Sequence, residues 1–160
     1  MKTRRIDNYG KINRDKILSF RWDKKNYKGF EGDTLASALL ANNIGIVGRS
    51  FKYHRPRGIF SCGVEESGAL VTIGSKDRRD PNVRATTQEL YNGLEASGQN
   101  AFPNVNFDLA GINNYLGRFF AAGFYYKTFM GIPPFEWGRG TSIWMFFEKF
   151  IRKAAGMGSA

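Results

Sequence analysis

Between Ile17 and Ala41 the apolar pattern changes period once, from two to about 3.6, and this change constrains the fold more than any other feature of the chain. Ile17-Leu-Ser-Phe-Arg-Trp22 roughly alternates apolar and polar residues. A polar turn, Asp23-Lys24-Lys25, separates it from Asn26-Tyr-Lys-Gly-Phe30, so the two runs are predicted to form a β-hairpin. Gly32-Asp33-Thr34 then precedes Leu35-Ala-Ser-Ala-Leu-Leu-Ala41, a helix for which Asp33 is the expected N-cap and Asn42-Asn43 the stop. Leu35, Ala38, Leu39 and Asn42 lie on one face of that helix, which packs on the hairpin.

Ile44–Gly48, Ala69–Ile73 and Val83–Thr87 read as further short strands, arranged around the basic loop Gly48-Arg-Ser-Phe-Lys-Tyr-His-Arg-Pro-Arg-Gly58. Hairpin, helix and then more strands describe an α+β β-grasp of the ubiquitin and ferredoxin type over residues 16–98. Residues 1–15 are polar and basic and read as an arm. Residues 99–160 read as a helical, aromatic-rich connector. In it Asp108 caps a helix to Leu116, and Ser142–Ala155 forms an amphipathic helix with Ile143, Phe146, Phe147, Phe150 and Ile151 on one side. Residues 119–150 hold 12 of the 24 aromatics, interrupted by Pro133-Pro134. Surface that rich in aromatics is expected to be an interface. A satellite core against the β-grasp is the second reading and a membrane-surface helix the last, because Glu136, Arg139 and Glu148 break its apolar face.

Charge and cysteine content narrow the function classes. The chain carries 24 Lys and Arg against 14 Asp and Glu, a formal charge of +10. Ten of the cations fall in residues 1–28, and Arg49, Lys52, Arg55 and Arg57 form a second group with His54. That pattern suits either an anionic partner, nucleic acid included, or a basic solvated face. One Cys and one His exclude a disulfide framework and a closed zinc site. Without a secretory-type leader or an apolar run of 18 residues, the expected setting is cytoplasmic and away from membranes.

No phosphate-binding glycine loop and no catalytic triad order is present. Asp77 and Asp80 read as loop solvation. Glu65 and Glu66 can in principle work as acid and base, yet adjacent glutamates are expected to face solvent. Cys62 becomes a nucleophile only if His54 activates it, and a plain reduced thiol is the simpler expectation. The basic loop is the best chemical feature. Arg49, Lys52, His54, Arg55 and Arg57, interleaved with Phe51 and Tyr53, can grip a phosphate while rings flank a planar group, or can bind single-stranded nucleic acid.

Three segments carry a family resemblance: Gly32-Asp-Thr-Leu-Ala-Ser-Ala-Leu-Leu-Ala-Asn42, the basic loop 48–58, and Ala121-Ala-Gly-Phe-Tyr-Tyr-Lys-Thr-Phe-Met130. Together they resemble the amino-terminal region of the sarcosine oxidase alpha-subunit family, from about Ile12 onward. The resemblance implies a β-grasp related to two-iron, two-sulfur ferredoxin domains. It places the ligand positions of cluster-bearing relatives at Ser61, Glu66, Ala69 and, for the fourth, near Thr86. None of these is Cys, and Cys62 misses a ligand position by one, so the resemblance implies a scaffold without its cluster and no cofactor in this chain alone. It further implies a parent complex with FAD, FMN, NAD and tetrahydrofolate, in which oxidative demethylation of sarcosine occurs in a beta subunit. The implied partners are that beta subunit and the rest of the alpha subunit, starting with a dinucleotide-binding domain beyond Ala160, so that the chain reads as a fragment. The expected role is structural, with the basic loop toward the flavin phosphate or the beta subunit. The alternatives are a small nucleic-acid-binding module, a subunit of a related amine or amino-acid dehydrogenase complex, and a free-standing ferredoxin, against which the missing ligands count.

Overall fold

A computed structural model describes residues 4–7, 9–76, 78–119 and 144–154. Strands β1 (Asn13–Trp22) and β2 (Lys25–Glu31) form the expected hairpin. Trp22 pairs with Lys25 across a two-residue turn in which both Asp23 (φ 45°) and Lys24 (φ 69°) are left-handed. That is the turn whose twist matches the twist of the strands it joins. Leu18, Phe20 and Trp22 alternate inward along β1, and Phe20 meets the Tyr27 ring of β2 at 5.9 Å between centroids.

Helix α1 (Leu35–Ala41) crosses the inner face of the sheet with Leu35, Ala36, Ala38, Leu39 and Ala41 buried. Its N-cap is Thr34 rather than Asp33, a correction to the sequence-based assignment. The Thr34 hydroxyl accepts from the Ser37 N–H, and the Ser37 hydroxyl accepts from the Thr34 N–H, a reciprocal box that satisfies two donors. Asp33 was displaced from that role by a larger one. Its carboxylate accepts from the Phe30 N–H at 2.8 Å and the Ser37 hydroxyl at 2.7 Å, and pairs in bidentate fashion with the Arg5 guanidinium. Thr34→Ala removes one of the cap's two bonds and is expected to lower stability by about 1 kcal/mol, read as a shift in the midpoint of urea unfolding.

The remaining strands are β3 (Gly48–Arg49), β4 (Pro56–Arg57), β5 (Leu70–Ile73), β6 (Asp80–Arg84) and β7 (Glu95–Gly98). Five strands form one sheet in the order β2-β1-β7-β5-β6, in which β1 and β7 run parallel and the other neighbours antiparallel. The last strand thus lies beside the first, across from the helix, and this is the β-grasp arrangement. Two details differ from expectation. The run Ile44–Gly48 does not form a strand; only Gly48-Arg49 pairs, with Pro56-Arg57, in a separate two-stranded ribbon. The predicted strand at Val83–Thr87 lies earlier, at Asp80–Arg84, because Thr87 and Gln88 turn back on the Arg84 carbonyl.

Past the sheet, Leu109–Phe119 is a 3-10 segment rather than an α-helix, and Asp108 caps it by accepting from the Ala110 N–H at 3.2 Å. Helix α2 (Trp144–Ala154) lies within the expected amphipathic stretch. The aromatic segment 120–143, with Pro133-Pro134 and Ile143, lies outside the described residues, as does the Phe146 side chain. Among the described residues no helix is long and apolar enough to cross a membrane.

Candidate functional site

Two features of the β-grasp carry polar chemistry, and both lie on the long connection between α1 and β5. The first is the basic loop, which is a hairpin. Gly48 pairs with Arg57 and Arg49 with Pro56, and residues 50–55 close the end. Ser50 holds that closure: its N–H donates to the Arg55 carbonyl, its carbonyl accepts from the His54 N–H, and its hydroxyl accepts from the Arg55 N–H at 3.0 Å. His54 takes the left-handed conformation (φ 53°) that this tight closure requires.

Much of the hairpin's charge is turned to internal use. The Arg49 guanidinium donates to the Val105 carbonyl at 2.9 Å and to the His54 carbonyl at 3.0 Å. His54 Nδ1 meets Asp108 Oδ2 at 2.7 Å, and that aspartate side chain is fully buried. Burial pushes the Asp108 carboxyl up, but the Phe102 N–H, His54 and the Ala110 N–H outweigh it and hold the carboxyl below the ordinary aspartate value. Arg55 lies over the Tyr53 ring at 4.7 Å and donates to Asn114 at 2.8 Å, while Lys52 approaches the same ring at 4.9 Å. Arg55 and Arg57 remain exposed. Arg57 borders a hollow of about 260 Å³ shared with Gly48, Phe51, Gly68 and Asn82, and His54 borders another of about 420 Å³ with Arg79, Gln99 and Asn100. All five residues of the basic group singled out from the sequence therefore share one hairpin, with Arg55 and Arg57 presented outward.

The second feature is the loop 60–69, which leads into β5 through a 3-10 turn, Gly63–Glu65. Glu66 is buried, at 1% exposure, which corrects the expectation that it faces solvent; Glu65 does face solvent. One carboxylate oxygen of Glu66 accepts from the N–H groups of Phe60 at 2.7 Å and Ser61 at 2.6 Å. The other accepts from Ala69 at 3.1 Å and from Gly68. Burial alone would raise this carboxyl, but the four N–H groups, Ser61 first, outweigh it and bring it below the ordinary glutamate value. Sequence reasoning missed this role. Main-chain donors leave no trace in residue types, and the only available signal was that Glu66 falls on a ligand position of the implied cluster.

The four ligand positions can be tested as a donor set. Ser61 presents a buried hydroxyl oxygen with no hydrogen-bond partner among the described residues, and the fully buried Ala69 side chain has no atom that could ligate a metal. Glu66 is consumed by four N–H groups, and the Thr86 hydroxyl donates to the Gly63 carbonyl at 2.6 Å. A Cβ on Gly68 would meet the Gly58 carbonyl oxygen at 2.8 Å and a Glu66 carboxylate oxygen at 3.1 Å, so the loop is tightly closed around the carboxylate. Clusters of this class are held by thiolates. These residues do not fit one, and Cys62, the single cysteine, is exposed on the outside of the loop.

Comparison with known proteins agrees with the scaffold. The chain is 51% identical over 161 aligned residues to a protein described as "Sarcosine oxidase subunit alpha" from Rhizobium meliloti (strain 1021), an alignment that covers 100% of this chain and 16% of that one. It is 46% identical over 90 residues to a protein of the same description from Corynebacterium sp. (strain U-96), covering 54% of this chain and 9% of the relative. The chain thus spans about a sixth or less of the length of these relatives. A solved structure described as L-proline dehydrogenase from P. horikoshii is similar over 54% of this chain and 16% of its own, with 25% identity and a TM-score of 0.45. Residues 15–101 match the family described as "2Fe-2S iron-sulfur cluster binding domain". With its strand order and its helix in place, the chain belongs to the 2Fe-2S iron-sulfur cluster binding domain family.

Proposed function

We propose that this chain is the amino-terminal structural and assembly domain of a sarcosine oxidase alpha subunit. The complex it serves demethylates sarcosine oxidatively to glycine and passes the one-carbon unit to tetrahydrofolate, with FAD, FMN and NAD as its other cofactors. The observation that carries this reading is 51% identity sustained along the whole chain to a relative of that description. The closure of loop 60–69 on the Glu66 carboxylate supports a structural role for this domain. Its partners are the remainder of the alpha subunit and the beta subunit, in the cytoplasm, and it contributes no catalytic residue of its own. The exposed Arg55 and Arg57 of the basic hairpin face the beta subunit or a flavin phosphate. The internal engagement of Arg49 and His54 leaves less free charge than nucleic-acid phosphates would draw on.

In the assembled complex, Arg57→Ala, alone and with Arg55→Ala, is expected to lower FMN content or the fraction of assembled subunits severalfold. Flavin absorbance and size-exclusion chromatography read both quantities. Unchanged flavin and unchanged assembly in the double variant would remove the hairpin from the interface.

A further inference from the structure

Loop 60–69 has the shape of an anion site that has been filled from within. Four main-chain N–H groups, those of Phe60, Ser61, Gly68 and Ala69, converge on one point, as they do in the main-chain nests that bind phosphates and iron–sulfur centres. The resemblance places two of those donors, Ser61 and Ala69, at ligand positions of cluster-bearing relatives, and the acceptor, Glu66, at a third. The fourth, Thr86, ties the same loop to the sheet through Gly63. We propose that the Glu66 carboxylate is an internal anion standing where cluster-bearing members of the family hold their iron–sulfur centre, so that this loop is organised by its own sequence.

The chemistry of the exchange is simple. A cluster and its thiolates carry negative charge, and the surrounding N–H groups stabilise it by hydrogen bonds. A protein that loses the thiolates keeps the convergent donors, and four buried donors without an acceptor are costly. A carboxylate is the one common side-chain group able to take four hydrogen bonds at once, through two oxygens with about four lone-pair sites. Glutamate at position 66 reaches back to Phe60 and Ser61 with one oxygen and forward to Gly68 and Ala69 with the other. Around the carboxylate the packing is close, and a Cβ on Gly68 would meet both it and the Gly58 carbonyl oxygen. On the outer side the same loop presents Phe60 and Val64, at 93% and 68% exposure, so its closure also fixes an apolar surface. This inference rests on the family membership and holds whatever complex the chain serves.

Hydrogen–deuterium exchange with mass spectrometry on the full-length protein tests it. Glu66→Gln keeps the shape but replaces one acceptor oxygen with an NH2 group that faces two donors. Exchange in peptides covering 58–70 is expected to accelerate by about tenfold or more, while peptides covering 15–31 keep the native rate. Glu66→Asp retains the charge with a shorter reach and is expected to fall between. Native exchange rates at 58–70 in Glu66→Gln, or equal acceleration in both segments, would overturn the proposal.

Discussion

Asp33→Ala is expected to lower the stability of the chain by about 3–5 kcal/mol. Asp33 is 1% exposed, and its carboxylate joins three elements. It pairs with Arg5 of the amino-terminal segment, accepts from the Phe30 N–H at the end of β2, and accepts from the Ser37 hydroxyl in the first turn of α1. Alanine removes all of these at once. It takes the carboxylate away from the Arg5 guanidinium, which is 13% exposed at the side chain and lies over the Phe30 ring at 5.1 Å. Breaking the pair from one side is the larger part of the expected loss, since a partner removed costs more than a pair is worth. The double variant Arg5→Ala with Asp33→Ala is therefore expected to be less destabilised than the sum of the two single variants. Equilibrium urea unfolding of the four proteins checks this, and strict additivity would refute the coupling.

The second large effect is Phe20→Ala, expected to cost about 3–5 kcal/mol. Phe20 is 2% exposed, near the end of β1, and belongs to the cluster that α1 closes with Leu35 and Leu39. Its neighbours Leu18 and Trp22 on the same face stay in place, so the surroundings cannot collapse to fill the void. Urea unfolding followed by circular dichroism measures the change. Phe20→Leu, which leaves a smaller void, is expected to lose less than half as much. Equal losses in the two variants would show that the site repacks freely.

The hairpin and α1 were legible in the sequence because short-range periodicity carries them. Leu18, Phe20 and Trp22 alternate, and Leu35, Ala38 and Leu39 repeat at helical spacing, and each set is buried as its spacing implies. Strand β7 escaped the sequence reading. Glu95-Ala-Ser-Gly98 is short and mostly polar, and it is a strand because β1 and β5 flank it and take up its main-chain groups. The basic residues were legible as a group, whereas their division into internal and presented charges was not. Asp108 and Asn114, which pair with His54 and Arg55, lie 54 and 59 residues farther along the chain.

Loop 60–69 divides the same way. Residue identity alone shows that a chain with a single cysteine cannot supply four thiolates. The sequence by itself also determined the hairpin, the helix between its stops and the concentration of cations at 49–57, all properties of neighbouring residues. Only the tertiary structure decided what became of the emptied position. Glu65 and Glu66 are the same residue type side by side, yet one is in water and the other holds four main-chain N–H groups in the interior. The physical reason is that a main-chain donor is present at nearly every residue, so where donors converge depends on the path of the backbone. That path is set by packing between segments distant in sequence.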